Sequence, residues 1–242
     1  MGASVTDEPT GAGRPSPTRS YRTDFPSIEN PISEGGMWLN GRKDGIDWID
    51  VVSAGGYAHG EVSRMTVAER RAEQGNLEDG DDAASPTGDY DDPSAVLTGE
   101  WGANQHARAT VFCRNPTEEY FQEVQFRLRA AITPHVCTGY EIFWRALTGE
   151  HGYAEIVRWN GPIADWTSLA RQTGPAYGVK HGDVVEASVV GNVIKGFING
   201  VEVISVTDDV HTAGAPGIGF NFYVGNTNVD HGFSSFEVDT WD

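Results

Sequence analysis

The chain has 242 residues, with 35 acidic against 17 basic side chains and a formal net charge of −18 at pH 7. That balance argues against nucleic acid or an anionic membrane surface as partners, because neutralising phosphates takes a basic face this composition does not supply, and no run approaches the ~20 apolar residues of a membrane span. Two cysteines are too few for a disulfide scaffold, and seven histidines without an HxxxH or HxH cluster do not form a metal motif.

Residues 1–23 open with "MGASVTDEPTGAGRPSPTRS", rich in Pro, Gly, Ser and Thr and without the apolar stretch of a secretory signal. They read as an N-terminal arm, either flexible or docked on another subunit of a larger assembly. Residues 24–242 read as one all-β domain. "NPISEGGMWLNG" is its first strand region: Gly35-Gly36 are expected to allow close approach, Trp38 to pack in the sandwich or at its rim, and Asn40-Gly41 to make a tight hairpin turn. "DWIDVVS" and "GYAHGEV" follow as strands.

A polar, acidic insertion occupies about residues 61–93. Thr66 and Glu69 make a capping box for a short helix, and "LEDGDDAASPTGDYDD" reads as a solvated surface segment, since it lacks the ligand register of a calcium-binding loop. From Ser94 the strand pattern is nearly continuous. In "EVQFRLRAAI", Val124, Phe126, Leu128 and Ala130 alternate with Gln125, Arg127 and Arg129, which predicts one core face and one polar face. Strands at this spacing with no intervening helices predict an antiparallel sandwich. Cys113 and Cys137 are either bridged or two free, half-buried thiols; the sequence leaves both open.

"VVEASVVGNVIKGFINGVEVISVTDDVHTAGAPGIGFNFY", residues 184–223, turns at Gly191-Asn192 and again at Asn199-Gly200 before "GIGF". This resembles the concanavalin A-like lectin/glucanase superfamily, in its laminin-G-like branch, and the likeness covers the second half of the chain best. It implies an antiparallel jelly-roll β-sandwich. It says little about chemistry, because one fold hosts many functions.

Catalytic members of that superfamily carry paired acids in an ExDxxE string, which is absent. Glu141 and Glu155 are single acids on different strands, read first as partners of Arg145 and Arg158. Jelly-roll polysaccharide lyases resemble one another in Arg, Gln, His and Tyr on a concave face; Gln125, Arg127 and Arg129 on one face, with His135, Tyr140 and Tyr153 nearby in sequence, give an echo of that set. Binding without catalysis needs aromatic platforms and fixed polar groups. Trp144, Tyr153, Trp159 and Trp166, with Arg145, Arg158, Asn160 and Asp165, supply them within "GYEIFWRALTGEHGYAEIVRWNGPIADW".

The reading is therefore a non-catalytic carbohydrate-binding or surface-display module, partnered by a glycan surface. The alternative is a polysaccharide-cleaving lyase or glycoside hydrolase. With no secretory signal, a cytoplasmically made protein displayed on a virion surface fits the acidic sandwich and its arm. No cofactor is required; the resemblance allows a structural calcium at Asp47 or Asp239. Alanine at Trp159 is expected to abolish glycan binding and leave the fold intact.

Overall fold

The computed structural model describes residues 16–41, 48–61, 92–119, 121–133, 136–162, 165–222 and 228–242. Residues 1–15, most of the insertion with its capping box, His135 and Asp47 lie outside these.

Sixteen strands and one 3-10 turn make up the described structure: β1 (Arg19–Thr23), β2 (Ile28–Glu29), β3 (Trp38–Asn40), β4 (Val51–Ala54), β5 (Ala58–Gly60), β6 (Ser94–Leu97), β7 (Asn104–Cys113), β8 (Gln122–Thr133), β9 (Val136–Arg145), β10 (Tyr153–Pro162), β11 (Trp166–Thr173), β12 (Val184–Val190), β13 (Val193–Ile198), β14 (Val201–Thr207), β15 (Ala215–Phe222) and β16 (His231–Trp241). Two antiparallel sheets form a sandwich. One runs β14-β13-β12-β7-β16-β5-β4-β2, with β1 also paired to β16; the other runs β11-β10-β9-β8-β15-β6-β3. The fold is the all-β antiparallel jelly roll expected.

The main core lies between the sheets, where alternate residues of both point inward. Phe126 of one sheet stacks on Phe233 of the other with centroids 5.3 Å apart, and Trp38, Trp144, Ile142, Val185 and Phe236 are buried in the same cluster. Both thiols are free and buried, Cys113 in this core and Cys137 in a second cluster described below.

Three local expectations change. Residues 19–23, assigned to the arm, form β1, pairing along β16 from Arg19 opposite Thr240 to Thr23 opposite Phe236; alternation in "RSYRT" buries part of Tyr21 against Trp38, with ring centroids 5.6 Å apart. Asn40-Gly41 is not a hairpin turn. Asn40 is buried within β3 opposite Ala95; its side-chain amide donates to Ile32 O at 2.5 Å and its Oδ1 accepts from Val51 N at 3.3 Å, so the residue bonds two neighbouring segments instead of turning the chain. The turn falls earlier, where Glu34, Gly35 and Gly36 have φ of 43°, 73° and 92°; a Cβ on either glycine would meet nothing within 4 Å, so conformation and not close approach selects them.

Asn199-Gly200 does turn as read. Both residues have positive φ, 50° and 78°, the signature of the hairpin turn whose twist matches its strands.

The alternation in β8 holds to Leu128 and then breaks. A bulge between Leu128 and Ala131 puts Arg129 at φ 48°, which sends Ala130 to the outer face of the sheet while Val124, Phe126 and Leu128 stay in the core.

Buried charge gives the fold a pH limit on its acid side. His231 is fully buried, its Nε2 in contact with Asn221 O at 3.1 Å. Burial, with the nearby His59, lowers its pKa to about 4 against the pull of Asp230. A histidine neutral in the folded state and free to charge when unfolded stabilises the fold above the unfolded pKa of about 6.5; that contribution is lost as pH falls toward 4. The shift corresponds to about 3 kcal/mol at most. Urea midpoints at pH 7 and pH 5 should show this loss in the wild type, and His231→Gln should remove most of the difference.

Candidate functional site

Antiparallel register decides which side chains share a face. On the seven-stranded sheet, Arg127 of β8 stands opposite Glu141 of β9, which stands opposite Val157 of β10, itself opposite Ser168 of β11. One step along the same face runs Gln125, Phe143, Glu155 and Arg171, and on the other side Trp159 stands opposite Trp166. All of these point away from the main core. With Trp48 brought over them from the segment before β4, they form a second buried cluster: Trp48, Val96, Phe143, Tyr153, Val157 and Trp159 among others.

A cavity of about 270 Å³ opens on this outer face. Four carboxylates line it, Asp92, Glu123, Glu141 and Glu155, together with the aromatic rings of Phe121, Phe143, Tyr153, Trp159 and Trp166 and with Val157, Arg171 and Asn221. Trp166, 40 % exposed, stands at the rim of an edge strand, whereas Trp159 is only 3 % exposed.

The floor is held by Arg127, which is 1 % exposed. Its guanidinium lies between two carboxylates, 2.5 Å from Asp92 Oδ2 and 2.6 Å from Glu141 Oε2, with the Trp48 ring 4.9 Å and the Trp159 ring 5.3 Å away. The indole of Trp159 donates to Glu141 Oε2 at 2.5 Å and packs edge-on against Trp48, centroids 4.8 Å apart. One cation thus faces two buried anions. Burial raises the pKa of Glu141 to about 8 and raises that of Asp92, in each case against Arg127, while the two carboxylates hold the guanidinium firmly charged despite its burial. Near neutral pH the pair retains a proton. Around the floor, the Tyr153 hydroxyl donates to Glu123 Oε1 at 2.5 Å, and Glu155 is met by Ser168 Oγ at 2.6 Å and by Arg171.

Of the residues singled out for sugar binding, Tyr153, Trp159 and Trp166 line this cavity. Arg145 shares their sheet face opposite Glu123 but is turned to the carbonyls of His151, Thr117 and Glu118. The other four are elsewhere. Trp144 is wholly buried between the sheets, edge-on to Phe126 at 5.8 Å, because an even step along β9 from Tyr140 returns it to the core face. Arg158 is likewise on the opposite face, paired to Asp208 at 2.5 Å and bonded to Asn160, which in turn donates to Asp165.

The Arg/Tyr/His set of a lyase is not assembled among the described residues. Arg127 is buried and committed to two acids. Arg129, turned by the bulge, donates to the carbonyls of Ala103, Gly191 and His211 and ties loops together. Tyr140 faces inward and donates to Asp208 Oδ1 at 2.7 Å. Glu141 and Glu155 do share the groove, but Glu141 is paired with Arg127 and Glu155 with Arg171, not with Arg145 and Arg158 as read.

Asp239 lies on the other sheet and accepts from Ser20 Oγ at 2.7 Å. Among the described residues no group of three or more His, Cys, Asp or Glu side chains is placed to hold a metal ion.

Asp92, Phe121, Glu123, Phe143, Val157, Arg171 and Asn221 line the cavity without having been singled out in the sequence. Glu123 and Phe143 carry a signal, since they continue the alternation through Gln125 and Glu141. Arg171 is revealed only by register with Glu155, and Asp92 closes a stretch whose composition reads as solvated surface.

No family model matches the chain, and no curated protein matches it. Solved structures are similar to it. The carbohydrate-binding module CBM66 from Bacillus subtilis superposes with a TM-score of 0.51 at 11 % identity, over 80 % of this chain and 96 % of that one. The exoplasmic/lumenal domain of VIP36, in a Ca2+/Man3GlcNAc-bound form, gives a TM-score of 0.52 at 9 % identity, over 89 % and 91 %. The GH43 protein BlXynB from Bacillus licheniformis gives 0.51 at 10 % identity, over 91 % of this chain and 39 % of that one.

Proposed function

We propose that the chain, a jelly roll of the concanavalin A-like type, is a non-catalytic carbohydrate-binding module whose ligand lies in the groove of the seven-stranded sheet. The observation that carries this is the composition of the groove wall: carboxylate acceptors fixed by neighbouring donors, ringed by aromatic faces, with Trp166 open at the rim. Sugar C–H faces pack on such rings while fixed acceptors orient hydroxyls. The similarity to CBM66, a carbohydrate-binding module, and to VIP36, solved with a bound glycan, agrees with this reading at the level of the fold.

Trp166→Ala tests it. The side chain sits on an edge strand and is 40 % exposed, so stability should hardly change, while loss of a stacking contact worth about 1.4 kcal/mol would weaken glycan binding about tenfold. Retention on a panel of neutral and acidic polysaccharides is the measurement. Unchanged retention of the variant on the glycan that holds the wild type would place binding elsewhere.

One observation favours hydrolysis as a second reading. Glu141 and Glu155 stand on adjacent strands facing one groove, and Glu141, with its pKa near 8, keeps a proton to donate to a leaving group. Reducing ends released by the wild type and not by Glu141→Gln would replace binding with cleavage.

A further inference from the structure

Resting on the groove as the sugar site, we propose that Glu141 holds its ligand as a hydrogen-bond donor, its carboxyl proton meeting the carbonyl oxygen of an acetamido sugar, so that binding is lost when that proton is lost. The geometry of the floor divides the two oxygens of this acid. The Arg127 guanidinium, 2.6 Å away, and the indole N–H of Trp159, at 2.5 Å, both address Oε2. Glu141 lines the cavity on the outer face of β9. Among the described residues no donor reaches its Oε1, which is left to the occupant. An oxygen already taken by two donors has little room for a proton, so a protonated Glu141 carries it on Oε1 and points an O–H at the ligand.

The floor keeps such a proton. Arg127 lies between two carboxylates and needs one anion, which Asp92 supplies. Burial raises the pKa of Asp92, but Arg127 and the neighbouring Gln125 both favour its charged form, and its Oδ1 is enclosed, not open to the cavity. Glu141 is the member that stays protonated. Burial raises its pKa to about 8 against Arg127 of β8 and Trp159 of β10, and Asp92 and Glu123 of β8 act in the direction of burial. The thiol of Cys137, on the same face of β9, is pushed up to about 12 by burial, and the Tyr153 phenol lies well above its usual range for the same reason, so both stay neutral while Glu141 titrates. Glu155 and Arg171, across β10 and β11, are paired with each other. A ligand carbonyl matches the donor that results. In an acetamido group C=O and N–H point in opposite directions, so a sugar seated on the O–H cannot offer its N–H to the ionised acid without turning over.

The test titrates β-1,4-linked oligomers of N-acetylglucosamine and of glucose, equal in length, calorimetrically into the full chain at acid and alkaline pH, with folding checked by circular dichroism at both. With Glu141 titrating at about 8, only about 3 % of the protein carries its proton at about pH 9.5, so the acetamido oligomer should bind about thirtyfold more weakly there than at about pH 6. A hydroxyl accepts from the acid or donates to the carboxylate, so the glucose oligomer should change by less than about threefold. Glu141→Gln puts an amide N–H where the acid O–H stood and keeps an oxygen for Arg127 and Trp159. At about pH 9.5 it should bind the acetamido oligomer about tenfold or more tighter than the wild type does. A readout that needs no variant is the proton itself: wild-type titrations at about pH 9 in two buffers of different ionisation heat should show uptake of about one proton per acetamido ligand. Affinity for that ligand unchanged with pH, or a folded Glu141→Gln no tighter than wild type at the alkaline pH, would overturn the inference and leave the groove reading standing. Binding of neither oligomer would also overturn it; retention on another glycan that is lost in Trp166→Ala would still support the groove, and retention on none would remove both.

Discussion

Replacing Trp159 by alanine should lower the stability of the whole domain by about 3–5 kcal/mol, the range for deleting a large buried aromatic, and not simply empty a binding platform. The side chain is 3 % exposed, wedged between Trp48 and the Arg127 guanidinium, and its indole N–H is a donor to Glu141. Alanine leaves a cavity under Trp48 and takes away a hydrogen bond that favours the ionised Glu141, which pushes that carboxyl further up. A native domain is stable by about 5–15 kcal/mol, so the variant should unfold at a much lower urea concentration with little change in slope. Trp159→Phe should recover part of the loss by refilling volume without restoring the N–H. A Trp159→Ala protein with wild-type urea midpoint would mean the ring is not part of the packed floor.

Arg127→Met is the second large effect. It keeps most of the buried stem volume and removes the only cation from between Asp92 and Glu141, both almost fully buried. Leaving a buried charge without its partner costs about 3–5 kcal/mol, and here two carboxylates lose the same partner. Both acids must then take up protons to stay buried, so their folded pKa values lie above the unfolded ones. The folded state binds more protons than the unfolded state across that window, and stability falls as pH rises through it. The deficit should therefore be largest near pH 7 to 8 and shrink toward pH 5, the reverse of the acid loss expected from His231. The triple variant Arg127→Met, Asp92→Asn, Glu141→Gln should regain most of the stability at pH 7. A deficit independent of pH, or no recovery in the triple variant, would show that packing of the arginine stem, and not its charge, holds the floor.

The sandwich itself was legible because strand alternation and turn chemistry are local. Val124, Phe126 and Leu128 reach the core as their period of two dictates, and Asn199-Gly200 turns where its permissive φ allows. Alternation also held the means to separate Trp144 from Tyr153 and Trp159, since odd and even steps along β9 and β10 face opposite ways. Grouping the aromatics by nearness in sequence obscured that division. Arg129 shows a limit of the pattern: one bulged residue, with positive φ, moves everything after it to the other face, and no residue type in "RLRAA" announces it.

What the sequence determined alone is the class: short alternating strands and abundant turns give an antiparallel sandwich. The tertiary structure decided the site. Arg127, Glu141, Glu155 and Arg171 meet only through the register of four strands, and Asp92 joins them from the end of an insertion 35 residues earlier in the chain than Arg127. Ion pairs and burial depend on separations in space, which period and composition along the chain do not encode.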